Sequence, residues 1–426
     1  MGQQGNAEKA QRYFVPSRMV PVLVLLLGSI TAAAQNVVTD WTAIVATTAI
    51  KNANMGGASS IPFFAYTTIA MYDAVNAIDH RFQAFYFSGP APAGASDEVA
   101  AVAAAHRVLV NYFPAQQSAL DAAYASSVDA IQASAAAKTA GNAVGEAAAA
   151  ALIAARMGDG VRASVPYTPG SGPGVWQPTP PAYLPPLAPW LAKMRPFTMD
   201  SASQFRPDGP TPLDSEAWEQ NYNLTRTLGE SDSTIRTPAQ TEIGLFWALE
   251  NPNLQYSRAF SNLAINYKLE LADTARLLAM LWTGSADSAI GCFDGKYHYN
   301  FWRPVTATRA GGGNPELTAD TDWNALGATP NHPEYPAAHG CITSTVSHLV
   351  AAYFGTSKVR VVVDNLLFPD GVHTHVFNDT RDWFNEVFWA RIYAGFHYHH
   401  SLVDGGRLGK KVAEQLQRRY FRPVDD

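Results

Sequence analysis

The sequence predicts an all-α protein in which helices pack against one another in bundles. Apolar side chains recur at helical spacing, for example at Met71, Val75 and Ile78, and this period is typical of helices with one buried face. Residues 97–156 are dense in alanine, a strong helix former. Strand-like content is limited to short pieces such as 359–363. Antiparallel helices that share a core are the expected architecture.

The first 34 residues carry the features of a secretory signal peptide. A basic front precedes the apolar run at 20–30, and small residues at 32–34 are typical of a cleavage site. The apolar run is too short to span a bilayer comfortably, and no later stretch is long and apolar enough. We therefore expect an exported protein, secreted or periplasmic, without stable membrane insertion.

The composition suits a globular protein and argues against a nucleic-acid binder. The chain has 426 residues, 47% of them hydrophobic, which is enough for a sizeable core. Its formal net charge of −6 is a poor match for a polyanion. A cluster of cations in such an acidic chain is local, and we expect it to have a purpose.

A proline-rich stretch divides the chain. Residues 163–212 contain 13 prolines, a density that neither helix nor strand tolerates. The predicted loop, 163–213, separates an N-terminal helical part at 35–162 from a C-terminal helical bundle at 214–426. Loops of this length are usually functional or disordered. We expect this one either to shape the entrance of a site or to make an oligomer contact, such as that of a homodimer.

Both helical parts can be divided further. A helical pattern runs from about Trp41 to Ile78, and two helices fit residues 97–156 with a break near 111–115. In the C-terminal part we expect helices at 214–229, 237–249, 254–283, 286–308, 336–355, 379–395 and 404–420.

Lys296 and Arg303 lie seven residues apart, and Pro304 follows. Seven residues make close to two helical turns, so on one helix both cations would point the same way. Because a buried unpaired charge is very costly, two cations on an aromatic helix call for an anion between them. The alternative is a surface position on an amphipathic helix, which these two residues alone would favour.

The stretch 331–340 predicts a second part of a site. Pro336 precedes a helical pattern and marks a first turn, where backbone N–H groups lack a partner within the helix. Such an N-terminus is a ready anion site. His339 lies in that turn, and Gly340 allows close backbone approach. A helix start with an incidental histidine is the alternative.

Arg391 and His397 form the third part. Six residues on a helix turn through about 600°, so these two side chains do not stack on one face. They can converge if the helix ends near Gly395 and the chain curls around a ligand. Two histidines in such a site can transfer protons, attack as nucleophiles or bind a metal.

Taken in order, the three segments resemble a known signature. Lys-x6-Arg-Pro, Pro-x-x-His and Arg-x5-His, over residues 296–397, are similar to the motifs of the vanadium-dependent haloperoxidase and type-2 phosphatidic acid phosphatase superfamily. The residues around Arg303 and Arg391 resemble the haloperoxidase branch. The resemblance implies helical bundles of the haloperoxidase and acid phosphatase type.

The resemblance also implies a role for each residue. His339 would be the acid–base residue, Lys296 would polarise peroxide, and His397 would act in catalysis as the ligand of vanadium. The oxyanion of vanadate, or phosphate in the same site, would be bound by Lys296, Arg303, Gly340 and Arg391.

The activity implied is that of a vanadate-dependent haloperoxidase, which oxidises halide with hydrogen peroxide and halogenates a small organic acceptor. His332, seven residues before His339, stands where fungal chloroperoxidases have Phe and algal bromoperoxidases have His. Bromide or iodide is therefore favoured over chloride. The alternative is a soluble exported acid phosphatase that forms a phosphohistidine at His397. Simple oxyanion binding would not need the two histidines.

The sequence departs from the family pattern in the turn and after the last histidine. Pro-Ser-Gly-His of the relatives is Pro-Ala-Ala-His at 336–339, so Ala337 lacks a hydroxyl donor, a contribution of roughly 1.5–3 kcal/mol to an anion. Ser401 stands where relatives often have an Asp that steadies the histidine, and Asp404 is a candidate substitute.

Cys292 and Cys341 are the chain's two cysteines, which excludes a disulfide-rich scaffold and a cysteine cage for a metal. Export permits a disulfide between them, and two buried thiols fit the sequence equally well. Their positions, four residues before Lys296 and two after His339, predict that they lie near each other.

Overall fold

The computed structural model describes residues 36–424, and its helices confirm the all-α prediction. The predicted signal peptide, 1–34, lies outside these residues. The helices are α1 (Val37–Val45), α2 (Gly57–Asp79), α3 (Asp97–Tyr112), α4 (Gln117–Ala130), α5 (Ala135–Ala155), α6 (Glu216–Gly229), α7 (Pro238–Phe246), α8 (Pro252–Asn266), α9 (Leu271–Tyr299), α10 (Pro304–Arg309), α11 (Ala338–Tyr353), α12 (Thr380–Tyr393) and α13 (His399–Arg419). A π-helical segment, Ala46–Asn52, continues α1.

The long helix α9 lies at the centre of the molecule. It packs against α2 from the N-terminal half and against α8, α11 and α13 from the C-terminal half. Trp282 of α9 stacks on Phe64 of α2, with ring centroids 4.0 Å apart. One hydrophobic cluster contains side chains from both halves. Lys296 therefore lies near the C-terminal end of α9, a helix of 29 residues that packs against the core on several sides.

Helices α11 and α13 approach each other closely because α13 has glycines at the contact. A Cβ at Gly405 would lie 2.7 Å from the carbonyl oxygen of Ala337, and one at Gly409 would lie 2.1 Å from that of Cys341. The backbone N–H of Ala337 donates to the carbonyl of Ser401 at 3.0 Å. The start of α11 is thereby fixed against the start of α13.

The described residues contain one β-sheet, an antiparallel hairpin of β1 (Val361–Phe368) and β2 (Gly371–Phe377). Val361 pairs with Phe377 and Val363 with His375. The hairpin is longer than the short strand-like piece that the sequence predicts. It packs against α8 through β1 and contacts α12 through β2.

Several helix boundaries differ from the predicted ones. The predicted helices 254–283 and 286–308 are wrong, because the chain breaks at 267–270 and again after 299, with a continuous helix between. Residues 97–156 form three helices and not two. The other C-terminal helices begin or end within about five residues of the expected positions, the usual uncertainty of boundaries read from sequence.

The proline-rich stretch contains no α-helix and one 3-10 turn, Pro189–Lys193. It is attached to the end of α9: the N–H of Trp176 donates to the carbonyl of Asn300 at 2.8 Å, and that of Trp302 donates to Gly174 at 3.1 Å. Among residues 36–424, no helix is long and apolar enough to cross a bilayer. The division into two helical parts joined by this loop stays a prediction.

Candidate active site

Lys296 and Arg303 do not lie on one helix, so the geometric argument from their spacing is wrong. Helix α9 ends at Tyr299, and Asn300 adopts a left-handed conformation with φ of 51°. Arg303 is the N-cap residue of the short helix α10. The chain thus turns between the two cations, which nevertheless approach the same buried region from different elements.

Lys296 is fully buried and hydrogen-bonded to backbone. Its Nζ donates to the carbonyl oxygens of Pro333 at 3.0 Å and Glu334 at 2.8 Å. Burial lowers the pKa of Lys296 to about 8, and the nearby charge of Arg303 acts in the same direction. An ammonium has three donors, so one N–H is left beyond these two carbonyls.

Arg303 is fully buried and joins the three segments. Its Nε donates to the carbonyl of His332 at 2.9 Å, and its Nη1 donates to that of Phe396 at 2.9 Å. Nη1 also lies 3.2 Å from Nε2 of His397, and Nη2 lies 3.0 Å from Nδ1 of His332. Burial lowers the pKa of Arg303 to about 10, although Glu334 opposes the effect.

Arg391 and His397 converge as the sequence argument requires, because α12 ends at Tyr393 and the chain turns at Gly395, with φ of 74°. The Arg391 guanidinium lies 4.6 Å from the centre of the Phe396 ring, and its Nη1 donates to the carbonyl of Trp247 at 2.7 Å. Its Nε is buried without a hydrogen-bond partner in the described part of the chain. Burial lowers the pKa of Arg391 to about 9, and Arg303 lowers it further.

Glu334 is the site residue that the sequence argument missed. Its Oε1 lies 2.7 Å from Nδ1 of His397 and accepts the N–H of Tyr398 at 3.1 Å, and its Oε2 accepts the Ser401 hydroxyl at 2.7 Å. Burial raises the pKa of Glu334 to about 7, against the influence of the cations. A carboxylate accepts the Nδ1 proton, so the Nε2 of His397 is left with its lone pair.

Asp404, the candidate partner of His397, has a different role. Its carboxylate accepts the hydroxyl of Tyr335 at 2.7 Å and pairs with Arg407 at 3.0 Å. The partner of His397 comes instead from 63 residues earlier in the chain. Glu334 lies in the stretch 331–340 described above. Its carboxyl group is the one feature of that stretch that could have indicated a partner for His397.

The first turn of α11 carries His339 and Gly340. Ala337 is the N-cap residue and has no side-chain cap. Pro336 therefore precedes the helix and does not lie in its first turn. The first N–H groups of α11 have no partner within the helix.

Gly340 and Ala337 make contacts that the motif alone does not indicate. A Cβ at Gly340 would lie 3.0 Å from the carbonyl oxygen of Leu402, so this glycine permits close helix packing. Ala337 is fully buried in an apolar cluster with Phe388, Ile392 and Leu402. The methyl group of Ala337 thus faces apolar side chains, where a serine hydroxyl would need a polar partner.

A cavity of about 240 Å³ lies over these residues. Four of the predicted site residues line it, namely His332, His339, Arg391 and His397. Lys296, Arg303 and Gly340 are not among the lining residues. The Nε2 of His339 is buried without a partner among residues 36–424. Burial, with Arg391 and the other cations, lowers the pKa of His339 well below its ordinary range.

The charges around this cavity do not balance. At most 2% of the residue surface is exposed in each of the three cations, Lys296, Arg303 and Arg391. The carboxylate that raises the pKa of Lys296 and of Arg303 is that of Glu334. Glu250 of the lining is neutralised by Arg258, which binds both carboxylate oxygens at 2.9 and 2.6 Å. Because uncompensated buried charge is very costly, this region is suited to bind an anion.

Cys292 and Cys341 are both buried free thiols, so the structure has two separate thiols and no disulfide between them. They lie near each other, as their positions predict, and each influences the pKa of the other: the Cys341 thiol lowers that of Cys292 against the effect of burial. The Cys292 Sγ lies 3.4 Å from the carbonyl of Pro336. The pair connects α9 to the start of α11.

Comparison with known proteins confirms the resemblance to the haloperoxidase and phosphatase superfamily. Residues 276–426 match the family described as the VCPO second helical-bundle domain. A stretch of 148 residues is 31% identical to the vanadium chloroperoxidase of Curvularia inaequalis. That match covers 29% of this chain and 24% of the fungal protein, so the chain spans about a quarter of the relative's length.

The fold is similar to those of solved bacterial proteins over most of its length. The structure described as the first bacterial vanadium-dependent iodoperoxidase superposes with a TM-score of 0.79 at 20% identity, covering 91% of this chain and 96% of the other. An apo-type bacterial vanadium-dependent chloroperoxidase gives a TM-score of 0.68 at 16% identity, with 84% and 93% covered.

Proposed function

We propose that this protein is a vanadate-dependent haloperoxidase that oxidises halide, with bromide or iodide favoured, using hydrogen peroxide. The observation that carries the proposal is the presence of three buried cations around His397, whose Nδ1 faces Glu334 and whose Nε2 lies 3.2 Å from Arg303 Nη1 at the cavity. The matches to vanadium haloperoxidases support it.

The residues present fit an oxyanion such as vanadate. Arg391 Nε and His339 Nε2 are buried polar atoms without a partner in the described chain, and the excess positive charge lacks a counter-ion. The oxyanion would be held by Lys296, Arg303 and Arg391, with His397 as the ligand of the metal and N–H groups near Gly340 as further donors. When bound, vanadate supplies Lewis-acid activation of peroxide.

The chain's own residues bind, orient and move protons. His339 has a pKa lowered well below its ordinary value, so its ring is neutral near pH 7 and can take up the proton that peroxide loses. The remaining N–H of Lys296 provides a fixed positive donor for a peroxide oxygen. Glu334 fixes the tautomer of His397, which directs Nε2 toward the cavity.

His332 remains our candidate for halide selectivity. Its ring lies 5.2 Å from the ring of Phe293 and contacts the Arg303 guanidinium. The imidazole lines the cavity, and burial beside Lys296 and Arg303 lowers its pKa well below the ordinary value. A large, polarisable halide would meet a neutral ring there, and bromide or iodide loses hydration more easily than chloride.

The same residues suit an acid phosphatase, because the cations cannot distinguish phosphate from vanadate and the lone pair of His397 is a nucleophile. The test compares the purified protein with and without orthovanadate in two assays. One follows bromide- and peroxide-dependent bromination of a phenol-type dye, and the other follows p-nitrophenyl phosphate hydrolysis. Bromination absent at every vanadate concentration overturns the proposal, and hydrolysis in its place supports the phosphatase.

Substitution of His397 by Ala removes the vanadium ligand, so we expect bromination to disappear. His298→Ala is a matched control, because His298 is an exposed histidine on the same helix as Lys296; it should keep the activity of the unaltered protein. Bromination that survives in His397→Ala would show that the ligand is assigned wrongly.

We further infer export to the periplasm or the medium, with the protein acting on peroxide and halide there.

A further inference from the structure

The cavity has two chemically different ends. Its inner end carries His339, Arg391 and His397, the groups assigned above to the oxyanion. The rest of the lining, which we call the outer part, is largely apolar and includes Ile61, Leu187, Trp247, Ala248, Ile342 and Phe396. A ligand bound at the polar groups therefore shares the cavity with an apolar chamber.

No unpaired charge serves the outer part among the residues described. Glu250 is the carboxylate of the lining, and besides its bonds to Arg258 it accepts the backbone N–H of Leu366 at 3.1 Å. The amide of Asn253 is engaged with the carbonyl of Gly57 at 2.6 Å and with Ser60 at 2.8 Å. The outer part thus offers contact area to an apolar molecule and no partner for a charged one.

The wall from the proline-rich stretch is held rigidly. The N–H of Leu187 donates to the carbonyl of Asn331 at 2.8 Å, and the carbonyl of Leu187 accepts the hydroxyl of Tyr297 at 2.6 Å. Tyr297 directly follows Lys296 on α9. A Cβ on Gly56 would lie 3.2 Å from Leu187 Cδ1, so α2 presses on the other side. Leu187 is therefore a fixed wall of the chamber.

The cavity is larger than the oxyanion requires. A tetrahedral oxyanion takes the space of two or three waters, each about 30 Å³ in the liquid, and the cavity measures about 240 Å³. The remainder has room for one ring or two fused rings, and it is too small for a long chain. A planar ring in this space would lie against the Trp247 and Phe396 side chains, as aromatic rings commonly pack.

We propose that the outer chamber binds the organic acceptor, and that this acceptor is a neutral, electron-rich arene of phenol or indole size. The inference rests on the proposed function and names its substrate class. Peroxide takes two electrons from halide and yields hypohalous acid. The ring then gains a carbon–halogen bond and loses a proton, which leaves with the hydroxide of the hypohalous acid as water. Bound acceptor receives the halogen before the oxidant reaches solvent.

The test separates the oxidation of halide from transfer to the arene. With vanadate-loaded protein, triiodide formation from iodide and peroxide measures oxidation alone. Selectivity is measured by iodinating a mixture of phenol and a sulfonated phenol and determining the ratio of the two products. The reference is the product ratio that added hypoiodous acid gives in free solution. We expect the protein to favour neutral phenol beyond that reference, and phenol to quench Trp247 fluorescence without peroxide present.

Leu187→Trp fills the chamber, and we expect it to reduce phenol iodination about tenfold more than triiodide formation, equivalent to about 1.4 kcal/mol of lost binding. Leu184→Trp is the matched control, because Leu184 is 52% exposed on the same loop and does not line the cavity. Ala248→Leu is a second chamber variant in case the first does not fold, which circular dichroism reports.

Each outcome has one meaning. Triiodide with a product ratio equal to that of free hypoiodous acid overturns the acceptor site and leaves the proposed function standing. No triiodide at any vanadate concentration overturns the proposed function, and the acceptor inference falls with it. A selective ratio that Leu187→Trp and Ala248→Leu abolish, and that Leu184→Trp keeps, supports the acceptor site.

Discussion

Glu334 determines what His397 can do. It accepts hydrogen bonds from the imidazole, from the Tyr398 backbone and from the Ser401 hydroxyl. A carboxylate in this position orients a metal-ligating histidine and increases its basicity. Ser401 thereby takes part in fixing His397 indirectly, by donating to the second oxygen of Glu334.

Replacement of Glu334 by Gln removes the negative charge and nearly preserves the shape. We expect the affinity for orthovanadate to fall roughly 10–100-fold, the usual effect of losing such a partner. Equilibrium titration of the protein with vanadate, followed by ultraviolet difference absorbance, measures this without turnover. Glu316→Gln, in the loop before α11, is the control. Equal affinity in Glu334→Gln and the unaltered chain would contradict the role given to Glu334.

The sequence indicated the three cations and both histidines through their resemblance to a family signature, whereas the helical-spacing argument for Lys296 and Arg303 was wrong. It did not indicate Glu334 as the partner of His397, since 63 residues separate them and only the folded chain brings them together. Asp404 was nearer in sequence but its carboxylate is bound to Tyr335. Ala337 likewise could be read as a missing donor, whereas its environment of Phe388 and Ile392 is apolar.

At the scale of elements, the hairpin is attached to the bundle by two histidines. His375 lies 2.6 Å from Glu386 of α12 and 3.2 Å from Glu242 of α7, and it stacks on Phe246 at 3.7 Å. His373 lies 2.9 Å from Glu242, and Asp370 of the turn faces it at 3.0 Å. Trp247 donates to Glu386 at 2.9 Å, so this attachment also supports the cavity wall.

The attachment should weaken as pH rises. Burial alone lowers the pKa of His375, but Glu386 and Glu242 outweigh it and raise the pKa above the ordinary 6.5. The folded state thus binds its proton more tightly than the unfolded state. The stabilisation is complete below pH 6.5 and is lost as pH rises through the raised folded value.

Hydrogen exchange of the β2 amides, corrected for the intrinsic effect of pH, measures this loss between pH 6 and pH 9. His375→Gln should remove most of the pH dependence. His348→Gln on α11 is the control, because the His348 ring bonds to the carbonyl of Ser344 within its own helix. Protection of β2 that does not change with pH in the unaltered chain would refute the prediction.

The elements themselves were largely predictable, and their breaks were not. Helical periodicity and the prolines located most helices because both act within a few residues. The breaks near 268 and 300 depend on Lys268 and Asn300, which have φ of 52° and 51°. Neither is a glycine, and neither break has a proline at its first residue, so the local sequence continued a helical pattern that the tertiary fold interrupts.

At the scale of the whole molecule, the cavity joins distant parts of the chain. Its lining includes Gly56 and Ile61 near the start of α2, Leu187 from the proline-rich stretch, and Arg391 and His397 from the C-terminal half. A ligand that fills this cavity contacts all of them in the folded state only. Binding should therefore stabilise the N-terminal and the C-terminal helical parts together, although the sequence pattern indicates them as separate parts.

Orthovanadate at one hundred times its Kd should raise the free energy of unfolding by about 2.7 kcal/mol. Thermal unfolding followed by circular dichroism measures the shift, with sodium chloride at equal ionic strength as the reference. Arg391→Met should lose the shift, because the guanidinium with the unpaired Nε is removed. An identical transition with and without vanadate in the unaltered protein would rule out this site as its binding place.

The turn at Asn300 also has an evolutionary consequence. Lys296 belongs to a helix that the core holds from several sides, whereas Arg303 begins a helix of six residues. Substitutions around α10 can therefore move one cation by small steps while the scaffold that carries the other stays unchanged. Ligand preference can diverge between descendants through this short segment, in steps that the burial of Arg303 and its hydrogen bonds keep small.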